Sequence, residues 1–120
     1  MNQAQVTLSV RHPSSKVGVI DVRGDLTAFA EDALMDAYNE ATQTGAHNIV
    51  LNFEGLEYMN SSGIGLLVTL LIRINRQKQK LVAFGLTEHY RQIFSLTRLD
   101  DAIRLFDSED DALTAAGVTT

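Results

Sequence analysis

The spacing of apolar and polar positions changes along the chain, and it begins with the period of a strand. Val6, Leu8 and Val10 alternate with polar residues, which is typical of a half-buried β-strand. A turn cluster at 12–15 separates this segment from a second apolar segment at 16–22. Because the connection is so short, the pattern predicts an antiparallel hairpin.

The period then changes to that of a helix. From 28 to 44 the apolar residues recur every three to four positions, with carboxylates between them. Thr27 is placed to cap this helix and Gly45 to end it. The continuous apolar run at 49–53 then predicts a central strand, which we expect Gly55 to break.

The second half of the chain continues this alternation. Its predicted elements are a helix at 61–79, a strand at 81–84, a helix capped by Thr87, a strand at 103–106 and a helix at 109–116 opened by a capping box of Ser108 and Asp111. Strands that alternate with helices favour parallel pairing and right-handed crossovers. We therefore predict one α/β domain over residues 1–120, with a mixed, mostly parallel sheet of about five strands packed with about four helices.

Composition narrows the function classes. The 120 residues include no cysteine, which excludes disulfides, thiolate catalysis and cysteine-rich zinc sites. The net charge of −5 disfavours a protein that binds nucleic acid directly, because such a protein needs a concentrated basic surface.

The chain shows no sign of a membrane or export signal. Its start lacks the basic and long apolar regions of a signal peptide. The most apolar segment, 63–72, is far shorter than the roughly 20 residues that a membrane span needs. The sequence therefore predicts a cytoplasmic protein with no membrane contact.

Residues for catalysis are scarce. The three histidines are scattered and do not have the spacing of metal ligands. Ser61 and Ser62 lack the preceding glycine of a nucleophile elbow, and no Gly-Lys-Ser/Thr follows to make a phosphate-binding loop. The basic run at 73–80 is interpreted as a solvated helix end. We expect no enzyme, no metal and no cofactor.

The junction before the second helix is the most informative segment. Small polar residues there, Asn60 and Ser61 among them, can cap backbone N–H groups, and the same groups tolerate an anion. A phosphate on Ser61 would be stable at this position. Gly63 and Gly65 leave the first turn without bulk, so that a partner could approach closely. The alternative is that Asn60 or Ser61 is only a cap and that the glycines only permit packing.

The same segment resembles a known family. Asn60-Ser61-Ser62-Gly63-Ile64-Gly65, after the apolar strand, is similar to the core signature of STAS domains, and in particular of the single-domain bacterial anti-sigma-factor antagonists. Further matches are Gly24-Asp25-Leu26 after the second strand and the segment 90–94 in the third helix. The resemblance extends from about Val6 to Gly117.

The resemblance implies a partner-switching mechanism. Ser61 corresponds to the serine that is phosphorylated by an anti-sigma factor that is also a serine kinase. The unphosphorylated antagonist binds this kinase and releases the sigma factor, the phosphorylated form no longer binds, and a serine phosphatase resets the system. The partner-binding residues implied for this chain are Asn60, Ser61, Ser62, Gly63, Ile64, Leu66, Asp25 and Thr27.

Two positions depart from the family pattern and keep an alternative open. Asn60 stands where the family usually has aspartate, and Thr27 stands where a further acid is common. The second hypothesis is therefore a STAS interaction module in a signalling or transport assembly that is not phosphorylated. A third hypothesis is a small nucleotide hydrolase. It is disfavoured because the chain offers no convergent set of base, nucleophile and metal ligands.

Overall fold

A computed structural model of the chain describes residues 6–118, which form a five-stranded sheet packed with four α-helices. The elements are β1 (Val6–Ser14), β2 (Val17–Leu26), a 3₁₀ turn (Ala28–Ala30), α1 (Glu31–Thr42), β3 (Asn48–Met59), α2 (Ser61–Arg76), β4 (Lys80–Phe84), α3 (Glu88–Leu96), a second 3₁₀ turn (Leu99–Asp101), β5 (Arg104–Phe106) and α4 (Glu109–Ala115). The predictions about the chain start and about a single domain over 1–120 extend outside the described residues, at 1–5 and 119–120.

The strands lie in the sheet in the same order as in the chain. β1 and β2 are antiparallel, and the three following pairs are parallel. In the centre of the sheet Ile20 pairs with Leu51, and Leu51 pairs with Ala83. The predicted fold class, a hairpin followed by alternating parallel units, is confirmed. Because the parallel strands all end at one edge, α1, α2 and α3 begin at that same edge.

The sheet is covered on both faces. Helices α1, α2 and α3 supply Leu34, Leu67 and Phe94 to the larger core cluster, whereas α4 supplies Ala112 and Leu113 to a smaller one. The central strands contribute to both, and their side chains alternate between the two clusters. This two-sided burial explains why the runs in β2 and β3 are apolar without a break.

Two strands are longer than predicted. β3 does not end at Gly55, because β2 continues beside it and Gly55 pairs with Arg23. A side chain at position 55 would have its Cβ 2.7 Å from Cγ of Arg23, so glycine suits this close approach. β1 likewise runs through the predicted turn and includes Pro13. Proline is tolerated there because β1 is an edge strand and needs no further backbone donor on that side.

The predicted caps are only partly confirmed, since the N-cap of α1 is Ala30, which makes no side-chain capping hydrogen bond, and not Thr27. Thr27 caps the 3₁₀ turn, where its Oγ1 accepts a hydrogen bond of 3.4 Å from the Phe29 N–H, and α1 begins only afterwards. Ser108 accepts from the Asp111 N–H as expected. Thr87 precedes α3, but its side chain makes no capping hydrogen bond within residues 6–118. Helix α2 ends three residues before the predicted position 79, since Lys78 turns the chain with a φ of +58°.

A polar network ties β1 to the far face of the sheet. Arg11 donates to both carboxylate oxygens of Asp21 at 2.8 Å and to Glu109 of α4 at 2.9 Å. Asn52 donates a further hydrogen bond of 2.8 Å to Asp21. The hydrogen bonds from Arg11 hold the pKa of Asp21 below its ordinary value, in spite of the burial that opposes this shift.

Candidate phosphorylation and partner-binding site

The site is built where β2 and β3 end side by side. Leu26 and Met59 are paired residues at the ends of these strands, so Thr27 and Asn60 follow at the same edge of the sheet. Tyr90 of α3 fixes the end of β3, because its hydroxyl oxygen accepts a 2.8 Å hydrogen bond from the Met59 N–H. The sequence analysis included Tyr90 in a family match and in the third helix, but it did not identify this positioning role.

Asn60 is the N-cap of α2. It has extended backbone angles, and its Oδ1 accepts a 2.9 Å hydrogen bond from the Gly63 N–H. Its carbonyl accepts from Ile64 at 3.0 Å, which begins the helical hydrogen bonds. An amide at this position therefore caps the helix as the family's aspartate would, without adding a negative charge.

Ser61 is the first residue of α2, and both Ser61 and Ser62 are exposed. The first N–H groups of a helix lack partners within the helix and carry the positive end of its dipole. A phosphate on the Ser61 hydroxyl would therefore lie in a favourable field at an accessible position.

The two glycines of this turn have different surroundings. Gly63 is buried, and a Cβ there would overlap the carbonyl oxygen of Leu26. A Cβ on Gly65 would meet no atom within 4 Å. The expectation that both glycines leave room for a partner therefore fits Gly65, whereas Gly63 is required for packing α2 onto the end of β2.

The apolar residues implied for the site also differ. Ile64 is half-buried and packs against the larger core cluster. Leu66 is only 7% exposed and belongs to that cluster. The structure therefore places Leu66 in the core, where a partner that leaves the helix in place would not contact it.

Asp25 and Thr27 lie on different sides of the sheet edge. Leu26 and its partner Met59 are buried on the face that carries α2. Side chains alternate along a strand, so Asp25 and its partner Tyr58 project from the opposite face. Thr27 is half-buried beside the start of α2 and is occupied in capping the 3₁₀ turn.

An exposed stripe on α2, made of Ser61, Gly65, Val68 and Ile72, continues from the serine. These residues are four, three and four positions apart, which places them on one face of the helix. Val68 is 38% exposed and Ile72 is 49% exposed. The sequence analysis did not identify this stripe, although its spacing from Ser61 was visible.

Phe29 is a further exposed apolar residue near α2. It is 63% exposed and lies in the 3₁₀ turn that packs next to α2. Exposed apolar side chains therefore lie both on α2 and in the turn that packs next to it.

Besides Asp25 on the opposite face, carboxylates at this edge come from the neighbouring helices. Glu31 and Asp32 are in the first turn of α1, and Glu88 is in the first turn of α3. Helix α2 itself has no acidic residue in its first turn. The acidic side chains on this side of the sheet therefore belong to α1 and α3, and none lies in the first turn of α2 itself.

Neither a metal-ligand cluster nor a membrane-spanning helix is present in the described part of the chain. Residues 6–118 contain no group of three or more metal-ligating side chains placed to hold an ion. Across the same range, none of the helices combines the length and apolar character that a membrane crossing requires.

Comparison with known proteins identifies the family. The family model for the STAS domain matches residues 8–112. The anti-sigma-B factor antagonist of Staphylococcus aureus (strain NCTC 8325 / PS 47) is 28% identical over 86 residues, which are 72% of this chain and 80% of that protein.

Solved structures share the fold. An anti-sigma factor antagonist from Mycobacterium paratuberculosis superposes with a TM-score of 0.79 at 23% identity, covering 95% of this chain and 96% of that one. The anti-sigma factor antagonist SpoIIAA in its unphosphorylated form gives a TM-score of 0.73 at 20% identity over 94% of this chain and 100% of its own. The phosphorylated form of Bacillus SpoIIAA gives 0.70 at 21% identity, over 91% and 98%. The chain therefore belongs to the STAS-domain family and has the fold of its anti-sigma-factor antagonists.

Proposed function

We propose that this protein is an anti-sigma-factor antagonist that binds an anti-sigma factor and is switched off by phosphorylation of Ser61. The observation that carries the proposal is the position of Ser61. It is an exposed hydroxyl on the first residue of α2, at the end of an exposed apolar stripe. A phosphorylated form of the structurally similar SpoIIAA exists, which supports a switch of this kind.

The phosphoryl transfer needs no catalytic group from this chain. The Ser61 oxygen attacks the γ-phosphorus of ATP held by the kinase, a new P–O bond forms, and the bond to ADP breaks. The hydroxyl proton passes to a base of the kinase. A serine phosphatase would reverse the modification by hydrolysis. The protein itself is a binding partner and a phosphate acceptor, not an enzyme.

The switch follows from the chemistry of the surface. The proposed contacts are Asn60, Ser61, Ser62, Ile64 and Thr27, continued by the exposed stripe, with Asp25 at the margin. A phosphate adds about −1.5 to −2 charges among these apolar and neutral polar groups. Burying or repelling that charge in an interface at a cost of about 3 kcal/mol would weaken binding roughly 150-fold.

The decisive experiment compares three variants against a purified anti-sigma factor by calorimetry. Ser61→Ala should bind like the parent protein, and Ser61→Asp should bind far more weakly. Ser62→Asp is the matched control, because Ser62 is the exposed neighbour one position further around the helix. Equal binding by the parent, Ser61→Asp and Ser62→Asp would overturn the switch.

Asn60 favours a second candidate, an interaction module that binds without being phosphorylated. The amide satisfies the cap without the acid that the family usually has, so the site can serve the fold alone. Incubation with the partner kinase and ATP, followed by intact-mass measurement and peptide mapping, separates the two. One added phosphate on Ser61 supports the switch, and binding without any added phosphate supports the module.

A further inference from the structure

A polar groove lies between the carboxyl-terminal halves of α1 and α2, at the end of the molecule away from Ser61. Its volume is about 450 Å³, and it is lined by Tyr38, Asn39, Thr42, Arg73, Arg76 and Gln77. Arg73 and Arg76 follow Ser61 by 12 and 15 residues on α2, which separates the groove from Ser61 by about 18–23 Å along the helix.

The groove offers mainly hydrogen-bond donors. The two guanidinium groups contribute ten N–H and NH₂ hydrogens, about five each, and Asn39 and Gln77 add amide donors. None of the lining residues is acidic. Among residues 6–118, neither Arg73 nor Arg76 forms an ion pair with a carboxylate.

Buried hydrogen bonds fix the floor of the groove. Tyr38 donates to Oε1 of Gln79 at 2.6 Å, and Nε2 of Gln79 donates to Oγ1 of Thr42 at 2.5 Å and to the Ala46 carbonyl at 2.8 Å. Because the Thr42 oxygen accepts from Gln79, its own hydroxyl hydrogen is available to a ligand. Burial raises the pKa of Tyr38, while the positive charge of Arg73, which lines the same groove, opposes this rise.

The positive charges near the carboxyl end of α2 have no carboxylate close to them in the sequence. Residues 60–87 contain no Asp or Glu, although the chain as a whole has a net charge of −5. The carboxyl ends of α1 and α2 each carry about half a negative charge from their dipoles, together about one charge against the two guanidinium charges of the lining. The lining itself presents two positive side-chain charges and no negative one, because the α1 carboxylates Asp36 and Glu40 are not among its residues.

We propose that this groove is a binding site for an anion with several oxygens, such as a phosphate or a cluster of carboxylates, and that Arg73 and Arg76 recognise it. The guanidinium fork matches such oxygens in pairs. The site is independent of the proposed switch, since it shares no residue with the Ser61 surface.

The test is a titration of the ¹⁵N-labelled full chain with sodium pyrophosphate at constant ionic strength. Backbone amide shifts should concentrate in 38–42 and 73–77. The double variant Arg73→Gln, Arg76→Gln should weaken binding by about tenfold or more, a change of about 1.4 kcal/mol. A parallel titration with a hexaglutamate peptide shows whether carboxylates or phosphate oxygens bind more tightly.

The matched control is Lys78→Gln, Lys80→Gln, which removes the same charge from the same end but does not alter the lining of the groove. This control should change the dissociation constant for pyrophosphate by less than about threefold. Equal weakening by both double variants, or shifts spread over the whole surface, would show a diffuse charge effect and overturn the site. An absence of localised shifts with both probes would also overturn it. All four substituted residues are exposed, so folding can be checked by circular dichroism without ambiguity.

Discussion

Gly63 packs so closely on the end of β2 that a Cβ at this position would overlap the backbone carbonyl oxygen of Leu26. This contact brings the first turn of α2 onto the end of β2 and leaves no room for a side chain between them. Ser61 and Ser62 directly precede Gly63 in the same turn. They are thereby held at the edge of the sheet, where both residues are exposed. The exposure of the proposed phosphoacceptor thus depends on the buried neighbour that follows it.

Gly63→Ala should lower the free energy of unfolding by about 1–3 kcal/mol, because the new methyl group must displace a backbone carbonyl. Urea unfolding followed by circular dichroism measures this change. Gly65→Ala is the control, since a Cβ there meets open space and replaces a poor helix former. It should raise stability by up to about 1 kcal/mol. Equal effects of the two substitutions would contradict the packing role of Gly63.

Asn60→Ala should lower the free energy of unfolding by about 1 kcal/mol, because the Gly63 N–H loses its side-chain acceptor. Asn60→Asp should keep the cap and add a favourable charge at the positive end of α2, worth about 0.3–1 kcal/mol at neutral pH. Thermal unfolding of both variants beside the parent protein tests this order. A loss of stability in Asn60→Asp as large as in Asn60→Ala would show that the cap does not act through the Gly63 N–H.

The network around Asp21 should make stability depend on pH. Asp21→Asn should cost about 1–2 kcal/mol at neutral pH, a value reduced by the partial exposure of Arg11. The pKa of Asp21 is lower in the folded state than its unfolded value of about 3.9, so its stabilisation is fully present above that pH. The difference between parent and variant should shrink as the pH falls through the lower, folded pKa.

The control for this network is Asp107→Asn. Asp107 also pairs with an arginine, Arg91 at 2.7 Å, but its side chain is 89% exposed. We therefore expect a much smaller loss at neutral pH. Denaturant unfolding from pH 2 to 7 measures both series, and a constant difference for Asp21→Asn across this range would contradict the prediction.

The exposed stripe should contribute to partner binding and not to folding. Val68→Gln, Ile72→Gln should weaken binding to the anti-sigma factor by about tenfold or more, because both apolar side chains would be buried in the complex. Stability should change by no more than about 0.5 kcal/mol, since the substituted positions are exposed.

Leu96→Gln is the comparison for this pair. Leu96 is 83% exposed, which is more than Val68 or Ile72, but it lies at the end of α3, outside the proposed surface. We expect its substitution to leave the dissociation constant unchanged in calorimetry. Weakening by Leu96→Gln to the same extent would show that the partner covers a different face of the protein.

Local signals in the sequence were sufficient for much of the fold. The alternation around Leu8 and the helical period after Thr27 follow from the geometry of single elements, and both were found in the structure. Asn60 and Ser61 also marked the start of α2 correctly, because a cap acts on residues within three positions of itself. The strand end at Gly55 was wrong, since only the pairing with Arg23 on another strand carries β3 further.

The sequence by itself therefore determined the order of the elements, the family resemblance and the position of Ser61 at the start of a helix. The tertiary structure decided which neighbours of Ser61 are accessible: Gly63 and Leu66 are buried, while Val68 and Ile72 are exposed. It also brought Tyr38 of α1 beside Arg73 of α2 to form a groove. The physical reason is that periods and caps depend on neighbours a few residues apart, whereas burial and grooves depend on segments that meet only when the chain packs.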